Sequence, residues 1–186
     1  HVPSKVFLDR PHPSDLPTVG VCHACNNALS KDEVYLASLL ECVIQGTTDV
    51  AKLQREKVRE ALTHSPALQS LIEACKQSEP TGGTLFQPDW DRVNRVLLKL
   101  LRGHALFELN EPHPEPPASM SVRPAPLMSA AERQAFEEVP GDVFALWPEV
   151  GSRAMQRLVE SRHDSGPWLI VQPDRYRYLA SVGPPF

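Results

Sequence analysis

The sequence predicts a mostly helical α+β chain with a ribbon-like amino terminus, a helical middle and a carboxyl-terminal β-hairpin. Residues 30–110 repeat apolar side chains at intervals of three and four, which is the period of an amphipathic helix. Residues 1–29 are rich in proline and lack that period, as is typical of loop and extended ribbon. Near the end, two runs rich in β-branched and aromatic residues flank Pro173 and Asp174, which predicts a hairpin.

Composition and charge exclude several classes of protein. The 186 residues carry 19 Lys and Arg against 23 Asp and Glu, so the net charge is −4. This balance excludes a globally basic nucleic-acid coat, although it permits a local basic face. The most apolar stretch, residues 35–44, is interrupted by Ser38 and Glu41, so we expect no membrane span and no membrane partner.

The termini and the cysteines bear on the cellular setting. The opening residues lack both a methionine and the apolar centre of a secretion signal, which indicates an internal start. Four cysteines in 186 residues are too few for a disulfide scaffold. Two of them, Cys42 and Cys75, lie in helical patterns and are expected to be buried thiols. These features favour a reducing, cytoplasmic setting.

The amino-terminal part is expected to consist of short extended pieces followed by a helix. Residues 3–8 and 18–21 are the predicted extended pieces. Ser30 and Glu33 form the pattern of a capping box, which predicts that the first helix begins there. Gly46 is the expected end of this helix, because glycine readily adopts the left-handed conformation that follows a last helical turn.

Two further helices are predicted before the middle of the chain. Thr48 is a candidate cap for a helix over residues 49–62. Pro66 opens the next, over residues 66–78, because proline at the first helical position loses no hydrogen bond. Residues 81–83, Thr-Gly-Gly, are a predicted turn.

The clearest helix spans residues 89–109, where the apolar repeat ends before Pro112. Its opposite face carries four cations spaced three, four and three apart: Arg92, Arg95, Lys99 and Arg102. One hypothesis is a nucleic-acid-binding face that contacts phosphates, with salt-dependent affinity. The alternative is the solvated side of an amphipathic helix.

The rest of the chain reads as a connector, short helices and a hairpin. Six prolines in residues 111–128 predict a stiff, exposed connector. Ser129 and Glu132 form a second capping box, and another short helix is predicted over residues 149–161. We therefore divide the chain into an amino-terminal segment 1–29, a helical domain 30–110, the connector 111–128, and short helices with a hairpin packed on the helical domain, 129–186.

The segment with chemistry is Cys-His-Ala-Cys-Asn-Asn at residues 22–27. Thiolates at Cys22 and Cys25 can present both sulfurs to one tetrahedral metal, which is half the shell of a structural zinc site. Haem attachment is excluded, because Asn26 follows the second cysteine where histidine is needed. A redox dithiol normally lies where a helix starts at once, and the predicted cap at Ser30 disfavours it. A reduced pair that closes a turn remains the other alternative.

With His-Val-Pro at residues 1–3 and Asp-Leu at 15–16, this segment resembles the HNH endonuclease family, the ββα-metal or treble-clef nucleases. More narrowly, it is similar to a group of uncharacterised bacterial HNH-like proteins. In that group, a phrase like residues 1–5 leads into one like residues 22–27 and then a helical part. The resemblance implies a truncated treble-clef or ββα-like segment over residues 1–29. It also implies hydrolysis of phosphodiester bonds in nucleic acid, with DNA as the expected partner.

The resemblance also implies a role for each matching residue. His1 falls on the general base, which takes a proton from the attacking water. Asn26 falls on a ligand of a divalent ion, Mg²⁺ or Mn²⁺, that neutralises charge on the phosphate. Asp15 falls where the family has the asparagine that orients the base. Cys22 and Cys25 fall on half of a structural zinc site.

Several positions depart from the family pattern. No acidic residue precedes His1, no upstream C-x-x-C is present, Asp15 replaces asparagine, and Asn26 is a weaker ligand than histidine. We therefore expect either a fragment of an intact nuclease or a decayed site, with impaired cleavage in this chain. The rival hypothesis is a non-catalytic nucleic-acid- or protein-binding module on a degenerate treble-clef scaffold. A terminal histidine can also derive from a purification tag.

Two carboxylates that follow the cysteines close the set of candidates. Asp32 and Glu33 would lie in the first turn of the predicted helix, where acidic side chains interact favourably with the helix dipole. A metal-binding role is the alternative, since both closely follow the thiol pair.

Overall fold

The computed structural model describes residues 1–78, 84–113, 115–138, 147–160 and 168–182. Within these residues the chain forms six α-helices and two small strand pairs, so the predicted mostly helical α+β class is confirmed. Two compact units are present. The first comprises His1–Leu101 with Asp174–Tyr176, and the second comprises Arg102–Pro173 with Arg177–Phe186.

The amino-terminal residues form a loop, and the predicted ribbon is absent. A 3₁₀ turn at Lys5–Phe7 lies where residues 3–8 were expected to be extended. No strand occurs in residues 1–22, all of which the structure describes. The backbone N–H of Val2 donates to the carbonyl oxygen of Pro17 at 2.8 Å, which ties the two ends of this loop together.

Helix α1 spans His23–Gln45, so the predicted start at Ser30 is wrong. The sulfur of Cys22 accepts a hydrogen bond from the backbone N–H of Cys25 at 3.2 Å and caps the helix. Ser30 lies inside the helix, and its hydroxyl donates to the carbonyl oxygen of Asn27 at 2.8 Å. The end was predicted correctly, since Gly46 has a φ of 63° and forms the C-cap.

The second predicted helix is interrupted. A 3₁₀ turn at Val50–Lys52, capped by Asp49, precedes helix α2 at Glu56–His64. Between them, the carboxylate of Glu41 accepts hydrogen bonds from the backbone N–H groups of Gln54 at 2.7 Å and of the next residue at 3.1 Å. Glu41 is only 1% exposed, so this buried carboxylate stabilises the break that the sequence pattern did not reveal.

Helix α3 spans Pro66–Ala74, with Ser65 as its N-cap and proline at its first position as predicted. It ends earlier than expected, because residues that continued the helical pattern form a strand. Strand β1, Lys76–Ser78, pairs antiparallel with strand β2, Thr84–Phe86. The turn predicted at residues 81–83 lies outside the described residues.

Helix α4 spans Trp90–Leu109 and agrees with the predicted helix. Its apolar face packs with α1, α2 and α3 to form the core of the first unit. Each fully buried Leu or Val contributes about 1.5–3 kcal/mol to folding. The buried residues include both thiols that were expected there, and the main ones are Tyr35, Leu36, Leu39, Cys42, Val58, Leu62, Ile72, Cys75, Val93, Val96 and Leu100.

The second unit contains two short helices, of which α5 begins at its predicted cap. Helix α5, Ala130–Glu137, begins with a complete capping box between Ser129 and Glu132. Helix α6, Arg153–Val159, begins later than the predicted residue 149, because Ser152 is its N-cap. The segment before α5 contains a 3₁₀ turn at Ala125–Leu127.

The predicted hairpin is present, with a shorter second strand. Strand β3, Leu169–Gln172, pairs with strand β4, Tyr176–Tyr178, and Asp174 in the turn has a φ of 58°. In the second unit the hydroxyl of Tyr178 donates to the carboxylate of Glu108, which is only 1% exposed. Among the described residues, no helix combines the length and apolar character that a membrane crossing needs.

Candidate functional site

The thiol pair lies on the first turn of α1, with both side chains exposed. A hydrogen bond from Cys25, followed by backbone N–H groups of Cys25 and Ala24, lowers the pKa of Cys22 below its ordinary value. The same thiol–thiol hydrogen bond raises the pKa of Cys25. Cys22 is therefore the sulfur that ionises first, as expected for a thiol at a helix N-terminus.

This placement corrects the basis on which a redox dithiol was disfavoured. The helix begins directly after Cys22, whereas the capping-box pattern predicts a start at Ser30. The sulfurs of Cys22 and Cys25 also supply half of a tetrahedral shell, as the zinc hypothesis requires. Nevertheless, no group of three or more His, Cys, Asp or Glu residues able to hold a metal ion occurs among the described residues. The described residues therefore complete neither a zinc site nor a magnesium or manganese site.

A buried carboxylate links the amino-terminal loop to the first turn of α1. Glu33 is 6% exposed, and its Oε1 accepts hydrogen bonds from the hydroxyl of Ser4 at 2.5 Å and from Nζ of Lys99 at 2.6 Å. The same ammonium donates to Oδ1 of Asn26 at 3.4 Å. Two segments predicted to form one site, residues 1–5 and 22–27, are thus joined through one ion pair.

Two predicted catalytic residues lie outside this network. The side chains of His1 and Asp15 are exposed, and within the described part of the chain neither is hydrogen-bonded to Glu33, Lys99 or Asn26. The backbone beside His1 is nonetheless fixed, because Val2 is buried and bonded to Pro17.

The basic face of α4 is paired with acids of the first unit. Arg95 donates to Asp32 at 2.9 Å. Arg92 lies 3.7 Å from Asp32 and 3.2 Å from Asp89, with its guanidinium 5.4 Å from the ring centre of Tyr35. Together with the Lys99–Glu33 pair, these contacts occupy three of the four predicted phosphate-binding cations.

Two predictions about these acidic and basic residues change accordingly. Asp32 and Glu33 do not lie in the first turn of α1, whose first turn holds no acidic residue. Both residues lie further along α1, where their side chains are buried and contact cations. The expected interaction with the helix dipole is therefore wrong. Arg102, the fourth cation, belongs to the second unit and donates to the carbonyl oxygen of Glu115 at 3.2 Å.

A second group of basic side chains lies between the amino-terminal loop and α2. We call Lys5, Arg10, His12 and Lys57 the amino-terminal basic cluster. The ammonium of Lys57 donates to Nε2 of His12 at 2.9 Å and to the carbonyl oxygen of Lys5 at 3.2 Å. Its sequence signal was three basic residues within positions 5–12, a segment without periodicity.

The pKa values in this cluster show mutual repulsion. Burial, followed by the charges of Arg10 and Arg55 and then of Lys5, lowers the pKa of Lys57, and the carboxylate of Asp9 partly offsets this. Burial, followed by the charges of Lys57 and Lys5, lowers the pKa of His12. The neighbouring positive charges therefore disfavour the charged forms of Lys57 and His12, whereas the cations of α4 are paired with carboxylates.

A cavity of about 340 Å³ lies elsewhere in the first unit, between α3, the β1–β2 pair and α4. The Tyr35 hydroxyl at its wall accepts a hydrogen bond from the backbone N–H of Asp89 at 2.9 Å and contacts the sulfur of Cys75 at 3.2 Å. Burial raises the pKa of Tyr35 to about 12, so its phenol stays neutral.

Comparisons with protein-family models, with curated proteins and with solved structures find no match.

Proposed function

We propose that this chain belongs to a metal-dependent nuclease of the HNH type that hydrolyses phosphodiester bonds of nucleic acid, DNA foremost. His1 is the general base, because its exposed imidazole can accept a proton from the attacking water. Asp15 orients this base, and Asn26 lies near the divalent ion. Cys22 and Cys25 are structural metal ligands.

The observation that supports this proposal is the junction through Glu33. Ser4 and Lys99 contact the same carboxylate oxygen, and Lys99 also contacts Asn26. Because the junction is buried, it fixes the loop that begins with His1 against the helix whose first turn carries both thiols. Such fixed placement is what a general base and a metal ligand need to act on one phosphate.

Metal binding in this proposal requires ligands beyond the described residues. Those residues offer two sulfurs, and a structural zinc site needs four ligands. A divalent ion, when bound, neutralises charge on the scissile phosphate and the leaving oxygen. The proposal therefore concerns the intact protein, with impaired cleavage by this chain alone.

The proposed compartment is the cytoplasm. All four cysteines are free, and the two on the first turn of α1 are exposed. Exposed neighbouring thiols persist in a reducing environment, whereas an oxidising one favours disulfide formation.

The second candidate function is a binding module without catalysis. One contact favours it: the ammonium of Lys99 lies 3.4 Å from Oδ1 of Asn26, the atom that would ligate a divalent ion. A fixed cation at that position opposes a second cation by direct repulsion. In this alternative the scaffold binds nucleic acid or protein, and His1 has no chemical role.

Plasmid nicking distinguishes the two candidates. The intact protein with Mg²⁺ or Mn²⁺ is compared with its His1→Ala variant and with a His64→Ala control, which removes another exposed imidazole. We expect nicking by the wild type and the control, and a loss of about 10²-fold or more for His1→Ala. Equal nicking by His1→Ala removes this residue from the mechanism, and binding without nicking by the wild type favours the alternative.

A further inference from the structure

The amino-terminal basic cluster carries cations that the protein does not neutralise. Within the described residues, Lys5, Arg10 and Lys57 form no ion pair. The nearby carboxylate of Asp9 is engaged by Arg55 at 2.8 Å and by Arg175 at 2.5 Å. Two further cations therefore surround the cluster and already compete for its acidic neighbour.

The backbone loop that carries Lys5 and His12 is tied to α2 by hydrogen bonds. Lys57 is anchored on α2 and bonded to the loop at Lys5 and His12. The guanidinium of Arg55 donates to the carbonyl oxygens of Val6 and Leu8 at 2.9 and 3.1 Å. Cations kept in one region by these backbone contacts gain free energy when a polyanion approaches.

The contrast with α4 identifies which basic surface is available. Arg92, Arg95 and Lys99 already contact Asp32, Asp89 and Glu33, so a phosphate would have to compete with carboxylates of the protein. Lys5 and Arg10 are exposed and have no such competitor within the described residues. A phosphate near Lys5 and Arg10 therefore meets no carboxylate that is ion-paired with either side chain within the described residues.

We propose that the amino-terminal basic cluster binds the phosphodiester backbone of duplex DNA. The choice of DNA rests on the proposed function, whereas the preference for a polyanion rests on the cluster's own charge. The loop that carries Lys5 and Arg10 also carries His1 and is tied at Val2 to Pro17. A backbone bound at the cluster is thereby fixed to the same loop as the proposed base.

The test measures affinity of the intact protein for a short fluorescein-labelled duplex DNA by anisotropy, without added Mg²⁺ or Mn²⁺ so that no cleavage occurs. Lys5→Gln/Lys57→Gln is the main variant. Lys52→Gln is the matched control, because its ammonium is exposed and paired with Asp49 at 3.6 Å. Arg10→Gln provides a second variant at an exposed position, which keeps the test valid if the double variant folds poorly.

We expect the double variant to bind at least about tenfold more weakly, and its plot of log affinity against log salt to lose about two units of slope. Arg10→Gln should lose about one unit of slope, while Lys52→Gln should match the wild type. Unchanged affinity and slope in the double variant and in Arg10→Gln overturn the proposal, as does a wild type without affinity for DNA. The proposal is also overturned if the cluster variants lose affinity only for a duplex RNA of the same sequence and bind duplex DNA as tightly as the wild type.

The outcome is separable from that of the nuclease proposal. A wild type that binds through the cluster and never nicks plasmid removes the nuclease and leaves the binding surface. A wild type that nicks plasmid, with binding indifferent to the cluster variants, removes the binding surface and leaves the nuclease.

Discussion

The first unit contains two basic surfaces, and their side chains behave in opposite ways. On α4, the cations that the sequence places on one helix face are bound to carboxylates of the same unit. In the amino-terminal basic cluster, cations from an irregular loop and from α2 lie together and repel one another. A regular stripe of positive charge is therefore a poor guide to free charge, because buried acids elsewhere in the sequence decide whether it is neutralised.

The physical basis of the difference is desolvation. Asp32 and Glu33 are 7% and 6% exposed, and a buried carboxylate is costly unless a cation and hydrogen bonds replace its water. The α4 cations form these ion pairs and hydrogen bonds with the buried carboxylates, so their charges stabilise the folded protein. Around Lys57, by contrast, the acid Asp9 is already shared by Arg55 and Arg175.

The largest expected effect is on the free energy of unfolding when a lysine of each surface is replaced by methionine. Lys99→Met leaves the buried Glu33 without its cation and should lower the free energy of unfolding by about 3–5 kcal/mol. Lys57→Met removes a repelled charge together with its hydrogen bonds to His12 and Lys5, and should lower it by only about 1 kcal/mol. Urea unfolding at neutral pH, followed by far-UV circular dichroism, measures both. Similar losses in the two variants would mean that the surfaces do not differ in this way.

Added salt should raise the pKa of His12 and leave that of His104 unchanged, although both pKa values are lowered in the folded protein. Burial lowers the pKa of His104 to about 4, whereas His12 is affected by burial and then by the charges of Lys57 and Lys5. Added salt screens those charges, so the pKa of His12 should rise toward its ordinary value while that of His104 stays near 4. Proton NMR titrations at low and high salt measure both, and a His12 pKa indifferent to salt would contradict the repulsion.

The sign of the related pH effect follows from the direction of these shifts. A histidine with a lowered pKa binds fewer protons in the folded than in the unfolded state, so stability falls as the pH decreases below about 6.5. For the buried His104 the loss continues until about pH 4 and amounts to about 3 kcal/mol. His104→Gln should remove this part of the pH dependence in acid unfolding experiments.

Sequence reasoning succeeded where a local pattern determines the structure. The apolar period of α4, the capping box at Ser129 and the glycine at Gly46 each act over a few residues. It failed at the start of α1, because a cysteine is not a usual N-cap and Ser30 imitated one. The β1–β2 pair was missed for a related reason, since Lys76–Ser78 continues the pattern of α3 and its stabilising partner follows later.

The candidate site depends on contacts between distant parts of the sequence, which no local pattern reveals. Lys99 and Glu33 are 66 residues apart, and Lys57 and His12 are 45 apart. The thiol pair was recognised from its spacing, but its place on the helix was not. Whether a cation is paired was therefore beyond what the sequence alone could predict.

The location of the DNA-binding surface is tested most directly by comparing Lys57→Gln with Arg95→Gln in the anisotropy measurement. Lys57 belongs to the amino-terminal basic cluster, and Arg95 is paired with Asp32 on α4. We predict that Lys57→Gln weakens duplex DNA binding several-fold and lowers the salt slope by about one unit, while Arg95→Gln leaves both unchanged. The reverse result, with binding lost in Arg95→Gln and retained in Lys57→Gln, would contradict the account.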